Sequence, residues 1–280
     1  PAWPYRQGGP HQGAPTPLTR RLGDLRIEMA LLRDGHVNIV GVDEVGRGAW
    51  AGPVVAGAVA VPPAIYSDPH SLRDADDSKR VAPARRYALN REILAVASAA
   101  VGWADANLID AVGATEATHV AMRGAVAALA SKARGGAVEG AGWHARRTAG
   151  AAVTGSILLV DGYPLAGLPS PQRAIVRGDR QCLAIACASL VAKVARDSYM
   201  GAMAYPFPTY GFDRHVGYGT HDHFRALIRH GLTPLHRRRF QPMQHLDGCG
   251  ETRQPALPPP PNRHAISRGQ LDFLASWGVQ

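Results

Sequence analysis

Asn38-Ile39-Val40-Gly41-Val42-Asp43-Glu44-Val45-Gly46-Arg47-Gly48-Ala49-Trp50-Ala51-Gly52 decides how the rest of the chain is read. A short, β-branched apolar run ends in two adjacent carboxylates, and a Gly-Arg-Gly turn follows at once. That pattern predicts a buried strand that stops at Asp43-Glu44. Strand neighbours point to opposite faces, so both acids can meet one ion only if the chain bends there. The glycines permit such a bend. A second apolar run, Pro53 to Val61, predicts the other arm of a hairpin. The place suits a hard cation beside an anionic substrate.

Working outward, Leu18 to Asp34 has helical spacing and predicts a short lead-in helix behind a Pro/Gly/Gln-rich start at 1–17. Ala82 to Ala100 and Ala114 to Ala133 predict helices, with Asp77, Ser78 or Pro83 opening the first. Ala99 to Trp103 predicts a third strand. Ser156-Ile157-Leu158-Leu159-Val160 predicts a buried strand ended by Asp161-Gly162, and Arg173 to Val176 a weaker one. Gln181 to Met203 predicts a long Ala-rich helix stopped by Pro206 and Pro208. Thr220 caps a helix over His221 to His230. Gly135 to Gly155 reads as a surface loop, and the tail beyond Gln241 is proline-rich.

Hydrophobic residues make up 46% of the 280 residues, enough for a real core, while the net charge is +9. Lysine stands only at Lys79, Lys132 and Lys193, so nearly all the 31 basic residues are arginine. Arginine forks match phosphate oxygens, and the balance points to a polyanionic partner. Cys182, Cys187 and Cys249 form no metal-knuckle spacing, and an odd count argues against a disulfide framework. A reducing cytoplasm and no membrane span are the expectation.

Acids stand at suggestive places on three apolar elements. The first strand ends in Asp43-Glu44, the later strand in Asp161, and the long helix carries Asp197. Clustered carboxylates repel unless cations neutralise them. Oxygen-only ligation favours Mg²⁺ or Mn²⁺, and two such ions suit phosphodiester hydrolysis. Singly, each acid has a plainer reading. Asp161-Gly162 is also a common strand-ending turn, and Asp197 with Arg196 can form a solvated pair on a helix.

From about Ile39 to Phe240 the chain resembles the bacterial ribonuclease HII family. The resemblance rests on Val42-Asp43-Glu44-Val45-Gly46-Arg47-Gly48, Asp77-Ser78-Lys79, Leu159-Val160-Asp161-Gly162, Gly178-Asp179, Ala192-Lys193-Val194-Ala195-Arg196-Asp197 and Gly217-Tyr218-Gly219-Thr220 with His223. It implies an α/β ribonuclease H-like fold, a mixed central sheet flanked by helices, with a small helical C-terminal part. Residues 38–245 would form the catalytic domain, between a leader at 1–37 and a tail at 246–280. The implied activity is endonucleolytic, on RNA–DNA hybrids and 5′ of single ribonucleotides in duplex DNA. The products would carry a 3′-hydroxyl and a 5′-phosphate.

The resemblance maps the family's metal-binding acids onto Asp43, Glu44, Asp161 and Asp197, with two Mg²⁺ or Mn²⁺ ions expected. It maps recognition of the ribose 2′-hydroxyl onto the backbone of Gly46, Arg47 and Gly48, and stacking on the neighbouring deoxyribose onto Tyr218. Lys79, Arg180 and Lys193 are candidates for phosphate contacts, as is Ser189. For Lys193 the alternative is a solvated helix face, and for His221 and His223 a cap or a packed ring is favoured over a metal ligand. A monomer is expected. Some family members bind the sliding clamp through a C-terminal peptide, and Gln270-Leu271-Asp272-Phe273-Leu274 lies in a corresponding place. Local packing of that tail is the alternative.

Val216 stands where the family usually has Lys, Trp50 where a smaller residue is usual, and Arg239 where Ser is common. The competing readings are a junction resolvase, a ribonuclease of the HIII type, and a nucleic-acid-binding protein on a decayed fold. A resolvase would not need Gly46-Arg47-Gly48 or Tyr218. The HIII type carries a sizeable N-terminal domain, and a decayed fold would not retain the acids.

Overall fold

The structure is a computed structural model, and it describes residues 25–68, 72, 74, 75, 78, 81–133 and 155–246. Readings on Lys79, Asp77, the 1–17 leader, the 135–154 loop, Cys249 and the clamp-like tail stretch therefore lie outside the described residues.

The chain opens with helix α1 (Arg26–Arg33), then strands β1 (Asn38–Val45) and β2 (Val54–Val61). Helices α2 (Pro63–Ser67) and α3 (Pro83–Val96) follow, then β3 (Ser98–Ala104), α4 (Ala106–Val112) and α5 (Ala114–Ala133). Strands β4 (Ser156–Asp161) and β5 (Gln172–Ile175) precede a 3₁₀ turn at Gly178–Arg180 and the long helix α6 (Leu183–Met203). Helices α7 (Phe212–His215), α8 (His221–His230) and α9 (Met243–Leu246) close the described chain.

The strands form one mixed sheet in the order β3-β2-β1-β4-β5. β1 pairs antiparallel with β2 and parallel with β4. Helix α6 covers one face and α5 the other, giving two apolar layers around the sheet. Glycine sets how closely they approach. A Cβ on Gly41 would lie 2.0 Å from the Ala184 backbone, and one on Gly102 would lie 2.1 Å from the Ala121 carbonyl. Both helices therefore sit almost on the strand backbones, which fixes where side chains from α6 meet the ends of β1 and β4.

The predicted elements correspond closely, with local differences. Helix α3 starts on Pro83 after Ala82 and has no side-chain cap, so the cap expected of Ser78 is not made. The expected cap at Thr220 is present, its hydroxyl accepting the His223 N–H at 3.2 Å. The N-terminus of α6 is capped from far away. The buried Glu28 carboxylate on α1 accepts the Leu183 N–H at 2.5 Å and the Ala184 N–H at 3.3 Å. An anion there satisfies orphan donors and meets the positive end of the helix dipole. Helix α1 is therefore docked on the body, and the expected boundary at residue 38 runs through this contact.

Candidate functional site

The parallel pairing of β1 and β4 ends at Val42↔Val160. The next residues, Asp43 and Asp161, stand side by side where the two strands part, at their carboxyl ends. Open α/β sheets take ligands in such crevices. β1 does not end at Asp43-Glu44 as expected. It continues through Val45 against β2, so the bend comes later, at Gly46 with φ +88°. The loss of β4 rather than a bend opens the space. Asp43 shares its strand face with Gly41, under α6, and Glu44 starts from the opposite face. The longer Glu44 side chain still reaches the gap. Carboxylate oxygens of Asp43, Glu44 and Asp161 all lie within 4.8 Å of one another.

Each aspartate is oriented by a backbone donor. The Glu44 N–H donates to Asp43 Oδ1 at 2.7 Å, and the Gly178 N–H to Asp161 Oδ1 at 2.6 Å. The Ser189 hydroxyl bonds Asp43 and lies 3.0 Å from the Ser78 hydroxyl. Burial pushes the Asp43 carboxyl well above the usual range, and the charges of Glu44 and Asp161 push it further. A buried carboxylate facing two others is held in place against its own charge, which is the condition a divalent cation relieves. The donor set is all oxygen, as a hard cation requires.

Asp197 is not in this group. It lies two turns of α6 beyond Ser189, roughly 12 Å along the axis. Its carboxylate accepts from Lys193 Nζ at 2.8 Å and faces the Arg86 guanidinium at 3.6 Å. Lys193 is itself buried and bonded here, not on a solvated face. Another acid, Asp179, stands half-buried on the 3₁₀ turn. It directly follows Gly178, whose N–H holds Asp161. Its signal in the sequence was the Gly178-Asp179 pair, which carried no role there. Arg180, on the same turn, is exposed.

The Gly46-Arg47-Gly48 turn is gripped by two buried arginines. Arg237 donates to the carbonyls of Gly46 at 2.7 Å, Arg47 at 2.8 Å and Gly52 at 2.8 Å. Arg196 donates to Ala51 and Pro53 carbonyls at 3.1 and 2.9 Å. It is fully buried, so the solvated Arg196–Asp197 pair does not form. A Cβ on Gly46 would lie 2.1 Å from Arg196 Nε. Gly48 differs: a Cβ there would meet nothing within 4 Å. Neither a positive φ nor protein packing at the Cβ position requires glycine there. The Arg47 side chain turns to Thr115, 3.0 Å away.

Tyr218 lies against this frame, with the Arg196 guanidinium carbon 5.3 Å from its ring centroid. The Trp50 and Ala51 N–H groups donate to the Gly217 carbonyl at 2.9 and 3.1 Å, tying the Tyr218 loop to the turn. Trp50 fits because residue 219 is glycine, where a Cβ would lie 2.2 Å from the indole. His223 is a packed ring, as expected, and fully buried. The buried roles of Arg196 and Arg237 had no local signal in the sequence, since their partners lie more than a hundred residues away.

The ribonuclease HII family profile matches residues 40–243. The chain is 44% identical over 223 residues to a ribonuclease HII of Chloroflexus aurantiacus, covering 79% of this chain and 95% of that one. Among solved structures, ribonuclease H2 from Pyrococcus horikoshii superposes with TM-score 0.56 at 20% identity, over 75% of this chain and 97% of that one. Ribonuclease HII from Archaeoglobus fulgidus, solved in complex with PCNA, gives TM-score 0.52 at 22% identity, over 73% and 95%. These two support the ribonuclease H-like fold.

Proposed function

The chain belongs to the ribonuclease HII family, and from that premise we propose that it incises duplex DNA 5′ of single embedded ribonucleotides as well as cutting RNA–DNA hybrids. It is a nuclease, a phosphodiester hydrolase. The products in this reading carry a 3′-hydroxyl and a 5′-phosphate, and residues 38–245 form the catalytic unit together with α1, which docks on it through Glu28.

One observation carries the reading: three carboxylates within 4.8 Å of one another, beside a backbone turn left open at Gly48. Asp43, Glu44 and Asp161 would hold two Mg²⁺ or Mn²⁺ ions. Those ions, when bound, would activate the attacking water and stabilise the leaving oxygen. The fourth carboxylate is Asp179 in our reading, because Asp197 is engaged by Lys193 and Arg86. Ser189 then orients Asp43 and does not bind phosphate. Arg237 takes the carbonyls of Gly46 and Arg47, which leaves the other side of the turn to meet the ribose 2′-hydroxyl. Tyr218 stacks on the adjoining deoxyribose, where a further 2′-hydroxyl would collide. Arg180 and Lys79 supply phosphate contacts that add salt-dependent affinity.

Among the described residues no helix is long and apolar enough to cross a membrane. We place the enzyme in the cytoplasm, in ribonucleotide excision during replication and repair. The solved complex of the A. fulgidus relative with PCNA supports testing a clamp contact through Gln270 to Leu274 by pull-down.

The test uses duplex DNA with one ribonucleotide, with all-DNA and all-RNA controls, in Mg²⁺ or Mn²⁺. Incision 5′ of the ribonucleotide is expected. Equal cutting of the all-DNA control would sink the reading. Asp179→Asn should abolish cutting, and Asp197→Asn should weaken it less. The reverse order would return Asp197 to the metal set.

A further inference from the structure

We propose that His223 and His236 are positioning residues for Tyr218, forming a one-way chain of hydrogen bonds that ends on the Tyr218 carbonyl and fixes the tyrosine over the sugar it selects. The inference rests on the role given to Tyr218 above and adds what holds it there.

The direction of the chain follows from its first bond. The Thr233 backbone N–H donates to His236 Nδ1 at 2.8 Å, and the Thr233 hydroxyl lies 2.9 Å from the same nitrogen. A ring nitrogen that accepts a backbone N–H carries no proton of its own. The His236 proton therefore sits on Nε2, which faces His223 Nε2 at 3.0 Å. Two ring nitrogens at that distance share one proton, so His223 Nε2 accepts. The His223 proton is then on Nδ1, 2.9 Å from the Tyr218 carbonyl oxygen. Only one tautomer of each ring satisfies every contact, and both rings are neutral.

The surroundings hold the chain rigid and dry. His223 is fully buried and His236 nearly so. His215 stacks on His223 with centroids 4.5 Å apart and planes 13° apart, and Phe212 meets it edge-on at 5.6 Å. His215 is itself fixed. Its Nε2 lies 2.6 Å from the Tyr210 carbonyl, and its Nδ1 accepts the Gly217 N–H at 3.2 Å. Burial pushes His223 down to about 4 and His236 to about 3, which agrees with neutral rings at physiological pH. The Gly217 N–H and the Tyr218 carbonyl thus both end on imidazoles. The Gly217 carbonyl is taken by Trp50 and Ala51, next to the turn that meets the ribose. The distance between the two sugar-reading elements is set by this network, and a displacement of about 1 Å at a positioning group can cost on the order of a hundredfold in rate.

Two amide replacements separate the two nitrogens of His223. His223→Asn keeps a donor where Nδ1–H stands and loses Nε2. His223→Gln keeps a group near Nε2 and loses the donor to Tyr218. The readout is the ratio of kcat/KM on a single embedded ribonucleotide to kcat/KM on a continuous RNA tract, with the melting temperature of each variant as control. Tyr218→Ala is expected to lower the ratio about tenfold, His223→Gln to lower it similarly, and His223→Asn to keep it within about twofold, in the range seen for residues that orient a working group.

If Tyr218→Ala leaves the ratio unchanged, the selecting role of Tyr218 is wrong and the positioning role goes with it. If Tyr218→Ala lowers the ratio and His223→Gln does not, the selecting role stands and the histidine chain is refuted. Should a His223 variant fail to fold, ¹⁵N NMR of the unmodified protein decides. Protons on His236 Nε2 and His223 Nδ1 are expected, and the opposite tautomers overturn the proposal.

Discussion

The carboxylate cluster and the Tyr218 frame stand side by side and solve opposite problems. At the cluster, Asp43 is buried with its charge opposed by Glu44 and Asp161, and only donors from Glu44 and Ser189 offset this. Around Tyr218, the polar atoms of His223 and His236 meet partners, and Arg237 fills three carbonyls at once. The first region carries unrelieved repulsion and gains most from a cation. In the second, these groups already meet protein partners, so the frame is held by its own hydrogen bonds. In the proposed function a site that binds ions and also measures a sugar needs both, because recognition at ångström scale requires a frame that does not relax when the ions leave.

The sharpest way to break the comparison is Asp43→Asn. Cutting should fall by about a thousandfold, since a ligand is removed from every turnover. Stability should move the other way. The folded-state pKa of Asp43 lies above its unfolded value, so its contribution is favourable at low pH and lost as pH rises through the folded value. Above that folded value the ionised group is a net cost. In chelator the variant should melt higher than the wild type. Mg²⁺ or Mn²⁺ should raise the wild-type melting temperature and leave the variant's almost unchanged. An Asp43→Asn protein that melts lower in chelator would show that the cluster is not under repulsion.

Arg237→Met tests the satisfied side. It leaves buried carbonyls at Gly46, Arg47 and Gly52 without their donor. Each costs about 1–3 kcal/mol if no water replaces the arginine. Urea unfolding should show a loss of several kcal/mol, and activity on the remaining folded fraction should fall through KM for the hybrid. A loss under about 1 kcal/mol would mean that the turn holds itself.

The pH dependence of the frame has the opposite sign to that of Asp43. His223 and His236 lie at about 4 and about 3 when folded, below their ordinary 6.5. Between these limits the unfolded chain takes up protons that the folded chain refuses. Stability is fully present above about 6.5 and declines as pH falls towards 4 and then 3. The melting temperature should drop steadily from pH 6.5 to 5, before most carboxylates titrate. A flat profile there would show that the rings are not sealed.

The smallest effect is expected at Val216, whose φ of +44° is unusual for a β-branched residue. Val216→Gly should stabilise by about 0.5–1 kcal/mol, because relief of that strain outweighs the added freedom of the unfolded chain. Thermal melts would show it, with the cleavage rate unchanged. A destabilised variant would mean that the Val216 side chain contributes more by packing than its backbone costs.

Much of the fold was legible because its signals are local. The β-branched run at Ile39 to Val42, the apolar run at Pro53 to Val61, the Pro83 helix start and the Thr220 cap each depend on a few neighbouring residues. The adjacency of Asp43 and Asp161 was legible as a condition, that their strands lie side by side, and the β1–β4 register meets it. Asp197 was less legible for a physical reason. A helix period says which face a residue shares but not which partners that face meets, and here the face meets Lys193 and Arg86.

The sequence by itself determined the strands, the longer helices, the acids at the strand ends and the glycine turn, since each is written within one short stretch, whereas the short helices α2, α4, α7 and α9 were not read from it. Only the tertiary structure decided that β1 leaves β4 without bending and that Glu44 reaches around to join Asp43 and Asp161. It alone showed that Glu28 caps a helix 155 residues away, and that of three consecutive arginines Arg237 turns inward. Those outcomes depend on burial and on hydrogen bonds between distant segments. Such bonds leave no period or spacing along the chain, because the energy that selects them exists only once the segments are packed together.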